Sequence, residues 1–266
     1  MTVFKAILLG ILQGATEFLP VSSSGHLVLA QQVLGLRESE LAFDILLHLG
    51  TLLAVLLFLR REIAEVLGSL FRRDPEEQDE PWGRRDLLLM AVSTVPTAVI
   101  GYAFHDAVEK GFSVREVGIA YLVLTAILLI SNLRFRHKMD PERIDLREAF
   151  AIGIVQGMAV LPGLSRSGST IALALVLGIG ASRSAKYSFF ISIPAILGAA
   201  ALHLHIRSGS VLPPFLPTAL GFLLSLVVGY IALTVVERLV TRGKLLRFAP
   251  YTFLLAVFCF YLYGQG

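Results

Sequence analysis

The sequence predicts an all-α, polytopic membrane protein, and its composition, its apolar stretches and an internal repeat all point to that class. Of 266 residues, 55% are hydrophobic and 16% are charged, and the mean hydropathy is +0.74. These values lie outside the usual range of soluble domains. We expect a single membrane domain over residues 1–266, surrounded by membrane lipids and without a nucleic-acid partner.

Six apolar stretches have the length of membrane spans, since about 20 helical residues cover about 30 Å of hydrocarbon. The N-terminal stretch differs, because polar residues interrupt it soon after Lys5 and no small-residue cleavage site follows. We interpret it as part of the fold and not as a signal peptide. The single cysteine, Cys259, excludes an intramolecular disulfide. The six predicted spans cover roughly residues 43–59, 87–104, 116–133, 188–206, 215–236 and 249–263.

Two further regions are apolar but broken in the middle. Residues 6–12 and 27–34 flank one polar segment, and residues 149–161 and 171–181 flank a second. None of these halves is long enough to cross a bilayer. They predict two re-entrant helix-loop-helix hairpins, whose irregular backbone is tolerated at membrane depth where protein or a polar cavity satisfies it.

The two hairpins are copies of each other, 143 residues apart. Each copy is followed by three spans, and this odd number of crossings turns the second copy upside down relative to the first. We therefore predict an inverted repeat, with repeat 1 at about 1–135 and repeat 2 at about 145–266. The matching pairs are Gly10 and Gly153, Gln13 and Gln156, Gly14 and Gly157, Ser22 and Ser165, Ser24 and Ser167, Gly25 and Gly168, and Gly35 and Gly178.

The basic residues predict an orientation. If the loop at 60–86 is cytoplasmic, 17 of the 23 Lys and Arg residues lie on the cytoplasmic side and five lie outside. The positive-inside rule favours this arrangement. Both termini are then outside, and the two hairpins enter from opposite sides with their tips near the midplane. The cytoplasmic segments are 60–86, 134–147, 183–186 and 238–247.

Both hairpin tips contain small, hydroxyl-rich residues just before a helix. A helix N-terminus presents unpaired N–H groups and the positive end of its dipole, which favours an anion. Two such loops with one arginine suit a phosphate or diphosphate group. The first tip contributes Ser22, Ser23, Ser24 and Gly25, and the second contributes Ser165, Arg166, Ser167, Gly168, Ser169 and Thr170.

Three ionisable residues near the tips are candidates for chemistry. Placing the Arg166 guanidinium near the bilayer centre costs free energy unless an anion pairs with it. That anion is a substrate phosphate or, alternatively, the carboxylate of Glu17. His26 is a candidate proton carrier near neutral pH, with capping of its own hairpin as the alternative. We predict that Glu17 and His26 form one catalytic unit across the turn between them.

The remaining polar residues leave alternatives open. Ser24 and Ser167 are candidate N-caps, whereas Ser22 and Ser23 are better candidates for phosphate contact or nucleophilic attack. Gln13 is a candidate for substrate contact or, like Gln156, for satisfying hairpin backbone. Asp44 and His48 are four residues apart and share a helix face, which is a weaker signal.

At these residues the sequence closely resembles the undecaprenyl-diphosphatase family, the bacterial bacitracin-resistance phosphatases of cell-wall lipid recycling. The resemblance is carried by GILQGATEFLPVSSSGH at 10–26 and PGLSRSGST at 162–170, and it extends over nearly the whole chain. The first family motif begins with Glu or Gln, and here Gln13 stands there, so Glu17 acts without a second carboxylate. The resemblance implies functional roles for Glu17, Ser22, Ser23, His26, Ser165, Arg166, Ser167 and Thr170.

The resemblance also implies a reaction and a location. The expected reaction converts undecaprenyl diphosphate to undecaprenyl phosphate and inorganic phosphate, in the bacterial cytoplasmic membrane and at a site opening outward. We expect no organic cofactor, with Mg²⁺ or Ca²⁺ as an assisting cation that Glu17 is the candidate to hold. The nucleophile stays open between Ser23, His26 and water, and the oligomeric state stays open with a homo-oligomer among the alternatives.

Two other classes compete with a phosphatase of this family. A polyprenyl-phosphate transporter or flippase also uses inverted repeats with broken helices at the midplane, but a passive carrier does not require Glu17 and His26 beside a phosphate loop. The other class of integral lipid phosphatase needs a second His several residues after its Ser-Arg. After Arg166 the next histidine is His203, so the spacing excludes that class.

Overall fold

The computed structural model describes residues 2–33, 41–71, 82–134, 143–206 and 214–265, and within them the regular structure is helical. The helices are α1 (Val3–Glu17), α2 (Ser23–Val33), α3 (Leu41–Phe58), α4 (Arg60–Ser69), α5 (Arg84–Ala103), α6 (His105–Lys110), α7 (Val114–Arg134), α8 (Leu146–Met158), α9 (Arg166–Val176), α10 (Ala181–Ile206), α11 (Phe215–Thr241) and α12 (Ala249–Tyr263), with a 3₁₀ helix at Leu245–Phe248 before α12. The all-α prediction is confirmed.

Five helices, α5, α7, α10, α11 and the segment ending in α12, are long and apolar enough to cross a membrane. A sixth candidate is α3 together with α4, which are bent by 68° at Leu59. Large apolar side chains such as Val95, Val99 and Leu254 stay exposed on the outside of the bundle, where lipid is the solvent that suits them. The six spans predicted from the sequence correspond to these helices.

Helices α1 and α8 pack against long helices through glycines. Gly10 and Gly14 on α1 lie against α11, and a Cβ on Gly10 would come within 2.5 Å of the Gly221 carbonyl oxygen. On α8, a Cβ on Gly153 would come within 2.3 Å of the Ser93 carbonyl oxygen of α5. In both helices the glycines are four residues apart, the spacing that lets two helix backbones approach closely.

Charged residues at the start of α10 tie it to three other helices. Lys186 Nζ lies 2.6 Å from the Glu62 carboxylate of α4 and 3.7 Å from the Glu237 carboxylate of α11. Arg183 pairs with Asp86 of α5, and its guanidinium lies 3.8 Å from the centre of the Trp82 ring. These contacts fix α10, which supports α9 and the second turn.

Candidate active site

The α1–α2 turn and the α8–α9 turn meet inside the bundle. The backbone N–H of Gly163 donates to Ser22 Oγ at 3.0 Å, and Ser165 Oγ donates to the Leu19 carbonyl at 3.2 Å. A Cβ on Gly168 would lie 2.8 Å from Pro20 Cβ, so glycine permits this close approach. The residues predicted at the two tips are therefore brought together in one place.

The innermost serines of the turns cap the following helices. Ser165 is the N-cap of α9, and its Oγ accepts the backbone N–H of Gly168 at 3.0 Å. Ser22 Oγ likewise accepts the N–H of Gly25 at 3.3 Å. Ser24 and Ser167, the candidate N-caps of the sequence analysis, do not take this role and lie inside the first turns of α2 and α9. Because α2 and α9 begin at Ser23 and Arg166, the residue just before each first turn reaches the free N–H groups.

The other tip hydroxyls serve structural contacts. Ser24 Oγ lies 3.3 Å from Ser22 Oγ, and Ser167 Oγ lies 3.2 Å from Ser165 Oγ. Thr170 Oγ1 donates to the Arg166 carbonyl at 2.8 Å and lies 2.7 Å from Ser188 Oγ of α10. Thr170 is fully buried, so it ties α9 to α10.

Glu17, the last residue of α1, accepts hydrogen bonds from three side chains of the site. Its Oε2 accepts a hydrogen bond from Ser23 Oγ at 2.6 Å and another from Gln13 Nε2 at 2.9 Å. Its Oε1 accepts from Arg166 Nη2 at 2.7 Å. Glu17 is 7% exposed, so these partners replace water around a buried charge.

The buried pair of Glu17 and Arg166 joins the two hairpins. The side chain of Arg166 is 14% exposed, and its Nη1 also lies 3.4 Å from the Ser188 carbonyl oxygen. Removing one member of a buried ion pair costs about 3–5 kcal/mol, because the other charge is left uncompensated. The alternative anion considered for Arg166, the Glu17 carboxylate, is thus its partner in this structure.

A cavity of about 190 Å³ opens beside this pair. Its volume is far above the roughly 15 Å³ that one water molecule requires. The lining contains one carboxylate, one guanidinium, one imidazole and three serines, with apolar residues of the α8–α9 turn. The residues are Glu17, Ser23, Ser24, His48, Ala159, Val160, Leu164, Ser165 and Arg166.

His48 is the histidine that lines this cavity. Its Nε2 lies 3.6 Å from Glu17 Oε2, and its Nδ1 lies 2.8 Å from the Asp44 carbonyl oxygen. A carbonyl only accepts hydrogen bonds, so Nδ1 carries a hydrogen and Nε2 faces the carboxylate. Sequence reasoning gave Asp44 and His48 little weight. The available signal was their position on one face of the first full span.

His26 is turned toward other helices. Its Nδ1 lies 2.7 Å from the Ser22 carbonyl oxygen, and its Nε2 lies 2.7 Å from the Tyr251 hydroxyl of α12. The cavity lining does not include His26. The structure therefore places the two members of the expected Glu17–His26 unit in different environments: Glu17 contacts Ser23 and Arg166, whereas His26 contacts aromatic side chains.

The electrostatics of the cavity favour an anionic group. Helices α2 and α9 both begin at its wall, and each N-terminus contributes a partial charge of roughly +0.5. Arg166 adds a full positive charge, which Glu17 balances. A phosphate entering the cavity can therefore bind the two helix ends and compete with Glu17 for the guanidinium.

The side chains around Glu17 do not by themselves fit a resident divalent cation. Within the described residues, no group of three or more His, Cys, Asp and Glu side chains converges. Both carboxylate oxygens of Glu17 are engaged by Arg166, Ser23 and Gln13. Mg²⁺ and Ca²⁺ require several oxygen ligands, which this set of side chains does not supply.

The fold and this cavity define a class: a multi-pass membrane protein with a polar, anion-compatible site between two helix–turn–helix segments. The family model for bacitracin resistance protein BacA matches residues 6–258. The chain belongs to this family.

Curated relatives match over essentially the full chain. The undecaprenyl-diphosphatase of Carboxydothermus hydrogenoformans is 40% identical, covering 100% of this chain and 99% of the relative. The undecaprenyl-diphosphatase of Desulfosudis oleivorans is 42% identical, covering 96% of each chain. The undecaprenyl-diphosphatase of Rubrobacter xylanophilus is 40% identical, again covering 96% of each chain.

Proposed function

We propose that this protein is a membrane phosphatase that hydrolyses undecaprenyl diphosphate to undecaprenyl phosphate and inorganic phosphate. Such a reaction recycles the lipid carrier of cell-wall synthesis and confers bacitracin resistance. The observation that carries the proposal is the 2.6 Å hydrogen bond from Ser23 to Glu17 in a cavity that also holds Arg166. Membership of the BacA family and the names of the relatives support it.

In the proposed mechanism Ser23 is the nucleophile. Its Oγ attacks the terminal phosphorus, and its proton passes to Glu17 Oε2, the oxygen it already contacts. The bond from that phosphorus to the bridging oxygen breaks, and prenyl phosphate leaves with the electron pair and the proton from Glu17. Water then attacks the phosphoserine and gives a proton to Glu17, which returns it to Ser23 Oγ as inorganic phosphate leaves. General base catalysis of this kind contributes about 10²–10⁴-fold.

Arg166 changes partner during this cycle. In the structure its Nη2 contacts Glu17 Oε1 at 2.7 Å. When Glu17 accepts the serine proton it becomes neutral, and the guanidinium is then free to hold two oxygens of the phosphoryl group. His48 Nε2, which lies 3.6 Å from Glu17 Oε2, is the neighbouring group that can take this proton from the carboxyl and pass it on to the departing prenyl phosphate.

The proposal is tested by phosphate release from purified protein. We expect wild type to release inorganic phosphate from C55 and shorter prenyl diphosphates, and to leave the monophosphate lipid. Ser23→Ala should lower turnover by about 10³-fold or more, and Ser23→Ala with Glu17→Gln should be scarcely worse, as for residues that act as a unit. Parallel reactions with a chelator and with added Mg²⁺ or Ca²⁺ measure any cation dependence.

The competing function is a polyprenyl-phosphate transporter. Two broken helices that meet inside a bundle suit a carrier as well. A carrier has no use for a serine that donates to a buried carboxylate, which is why the Ser23–Glu17 contact favours the phosphatase. Lipid binding by wild type without phosphate release, over a range of pH and divalent cations, would favour the carrier.

We also propose that the chain is an inverted repeat of two re-entrant hairpins, each followed by three spans. Reciprocal packing supports this, because α1 of the first half lies on α11 of the second and α8 of the second half lies on α5 of the first. The matching caps Ser22 and Ser165 support it too. At the same 143-residue offset, Ser23 corresponds to Arg166, so one half supplies the nucleophile and the other the cation.

A further inference from the structure

The residue before the proposed nucleophile has an unusual backbone. Ser22 has a φ of +62°, and among the described residues it is the one non-glycine residue with a positive φ. This left-handed region is uncommon for residues with a side chain and persists where the surroundings hold it. Because Ser23 follows directly and begins α2, the conformation of Ser22 sets where the Ser23 hydroxyl points.

Hydrogen bonds hold Ser22 in this conformation from both sides. Its Oγ accepts the backbone N–H of Gly25 and of Gly163, the latter from the opposite hairpin. Its carbonyl oxygen accepts the backbone N–H of His26 at 3.2 Å and lies 2.7 Å from His26 Nδ1. The imidazole therefore contributes the shortest of these contacts.

The partners of His26 fix its tautomer. Since a carbonyl only accepts, Nδ1 carries the hydrogen, and Nε2 then accepts from the Tyr251 hydroxyl at 2.7 Å. The Tyr121 hydroxyl lies 3.1 Å from Nδ1 and 3.5 Å from the Ser22 carbonyl oxygen. The rings of His26 and Tyr251 stack at 5.7 Å. Both ring nitrogens of the 8% exposed imidazole are thus in use.

We propose that His26 is a positioning residue whose Nδ1–H holds the Ser22 carbonyl, and that Tyr251 fixes the tautomer that makes this possible. The inference rests on the proposed phosphatase function for its kinetic consequence. It assigns to His26 a role different from the proton carrier expected from the sequence. Tyr121 and Tyr251 become part of the support of the site, from α7 and α12.

Amide substitutions separate the two roles, because an asparagine amide can place its N–H near the position of Nδ1 but cannot carry a proton as imidazole does. We expect His26→Asn to keep turnover within about tenfold of wild type. His26→Ala, which has no side-chain donor, and His26→Gln, whose amide lies one methylene too far from the backbone, should lose about 10²-fold, the scale of a displacement of about 1 Å in an active site. KM should change less than kcat in all three.

Tyrosine substitutions test the same support from outside the turn, with the sequence of the turn unchanged. Tyr251→Phe removes the hydroxyl that donates to Nε2, and we expect kcat to fall by about fivefold, the scale of one hydrogen bond. The matched control is Tyr261→Phe on the same helix, since Tyr261 is exposed and lies more than two turns further along α12. That control should retain wild-type kcat.

Hydrogen exchange of the 18–28 segment reads the conformation of the turn independently of activity. We expect His26→Asn to keep wild-type protection there and His26→Ala to lose it, whether or not the lipid is hydrolysed. Wild type without phosphatase activity would overturn the proposed function alone. His26→Asn as inactive as His26→Ala with normal protection, or unchanged protection in His26→Ala, would overturn the positioning role.

Discussion

Arg166 is a residue whose geometry matters beyond its charge. It donates to Glu17 through Nη2 and approaches the Ser188 carbonyl through Nη1, and it lines the cavity. A lysine keeps the charge but loses the planar fork that binds two phosphate oxygens together. We expect Arg166→Lys to lower kcat/KM by about 10²-fold or more in the phosphate-release assay. Near-normal turnover in a folded variant would remove Arg166 from direct phosphate recognition.

His48 allows a test of proton movement around Glu17. Glutamine in its place keeps a polar side chain but cannot take up a proton. We expect His48→Gln to lower kcat by about tenfold with little change in KM, because the path away from Glu17 Oε2 is interrupted. His105→Gln is the control, since His105 lies on α6, and it is absent from the cavity lining. Equal kinetics for both variants would exclude His48 from the reaction.

The positions of the tip residues could be predicted from the sequence, whereas the orientations of their side chains could not. Residue types and spacing placed Glu17, Ser23 and Arg166 at the tips, because charges near the bilayer centre are costly unless they have a partner or a function, and small hydroxyl residues precede the helix in both hairpins. The direction of the His26 ring depends on tyrosines 95 and 225 residues away along the chain. No local pattern contains that information. Ser23 was separated from Ser22 only when the contacts of both hydroxyls were known.

At the scale of helices, the glycines that permit close packing are the sensitive positions. A Cβ on Gly153 would lie 2.3 Å from the Ser93 carbonyl oxygen of α5. Because this oxygen belongs to the backbone, relieving the clash requires the two helices to move apart. We expect Gly153→Ala to destabilise the protein by about 1–3 kcal/mol, as overpacking does. Thermal unfolding in detergent measures this, with a lower melting temperature as the expected result.

The matched control for that substitution is Gly198→Ala. Gly198 lies inside α10, and a Cβ there would meet no atom within 4 Å. Replacing glycine with alanine inside a helix favours the helix by about 0.5–1 kcal/mol. The control should therefore melt at or slightly above the wild-type temperature. A Gly153→Ala protein that melts as the control does would show that α5 and α8 adapt.

The long helices were predictable from the sequence, and α4 and α6 were not. A long apolar stretch in the sequence indicates a helix that contacts lipid. The charged residues of α4 interrupt such a stretch, so α4 does not stand out. Helix α4 is instead held by tertiary contacts, such as that of Glu62 with Lys186 of α10. Helix α6 has six residues, too few for a periodic pattern to stand out from a loop.

For the molecule as a whole, the distribution of charge governs how it sits in the membrane. The bundle presents apolar side chains outward, and within the described residues its buried and partly buried ion pairs include the site pair of Glu17 and Arg166 and the pairs of α10. Lys and Arg residues concentrate in the segments 60–86, 134–147, 183–186 and 238–247. We propose that these segments face the cytoplasm of a bacterial inner membrane, with both termini and the opening of the cavity on the outside.

Labelling of single cysteines tests this orientation. In a background where Cys259 is replaced by Ala, a cysteine in the 74–81 segment should be protected from a membrane-impermeant thiol reagent in intact cells. A cysteine at Gly111, between α6 and α7, should be labelled, because the 110–115 region lies on the side with few basic residues. Permeabilised cells provide the control, since both positions should then react. Labelling at 74–81 with protection at Gly111 in intact cells would reverse the proposed orientation, while leaving the packing of the two hairpins unchanged.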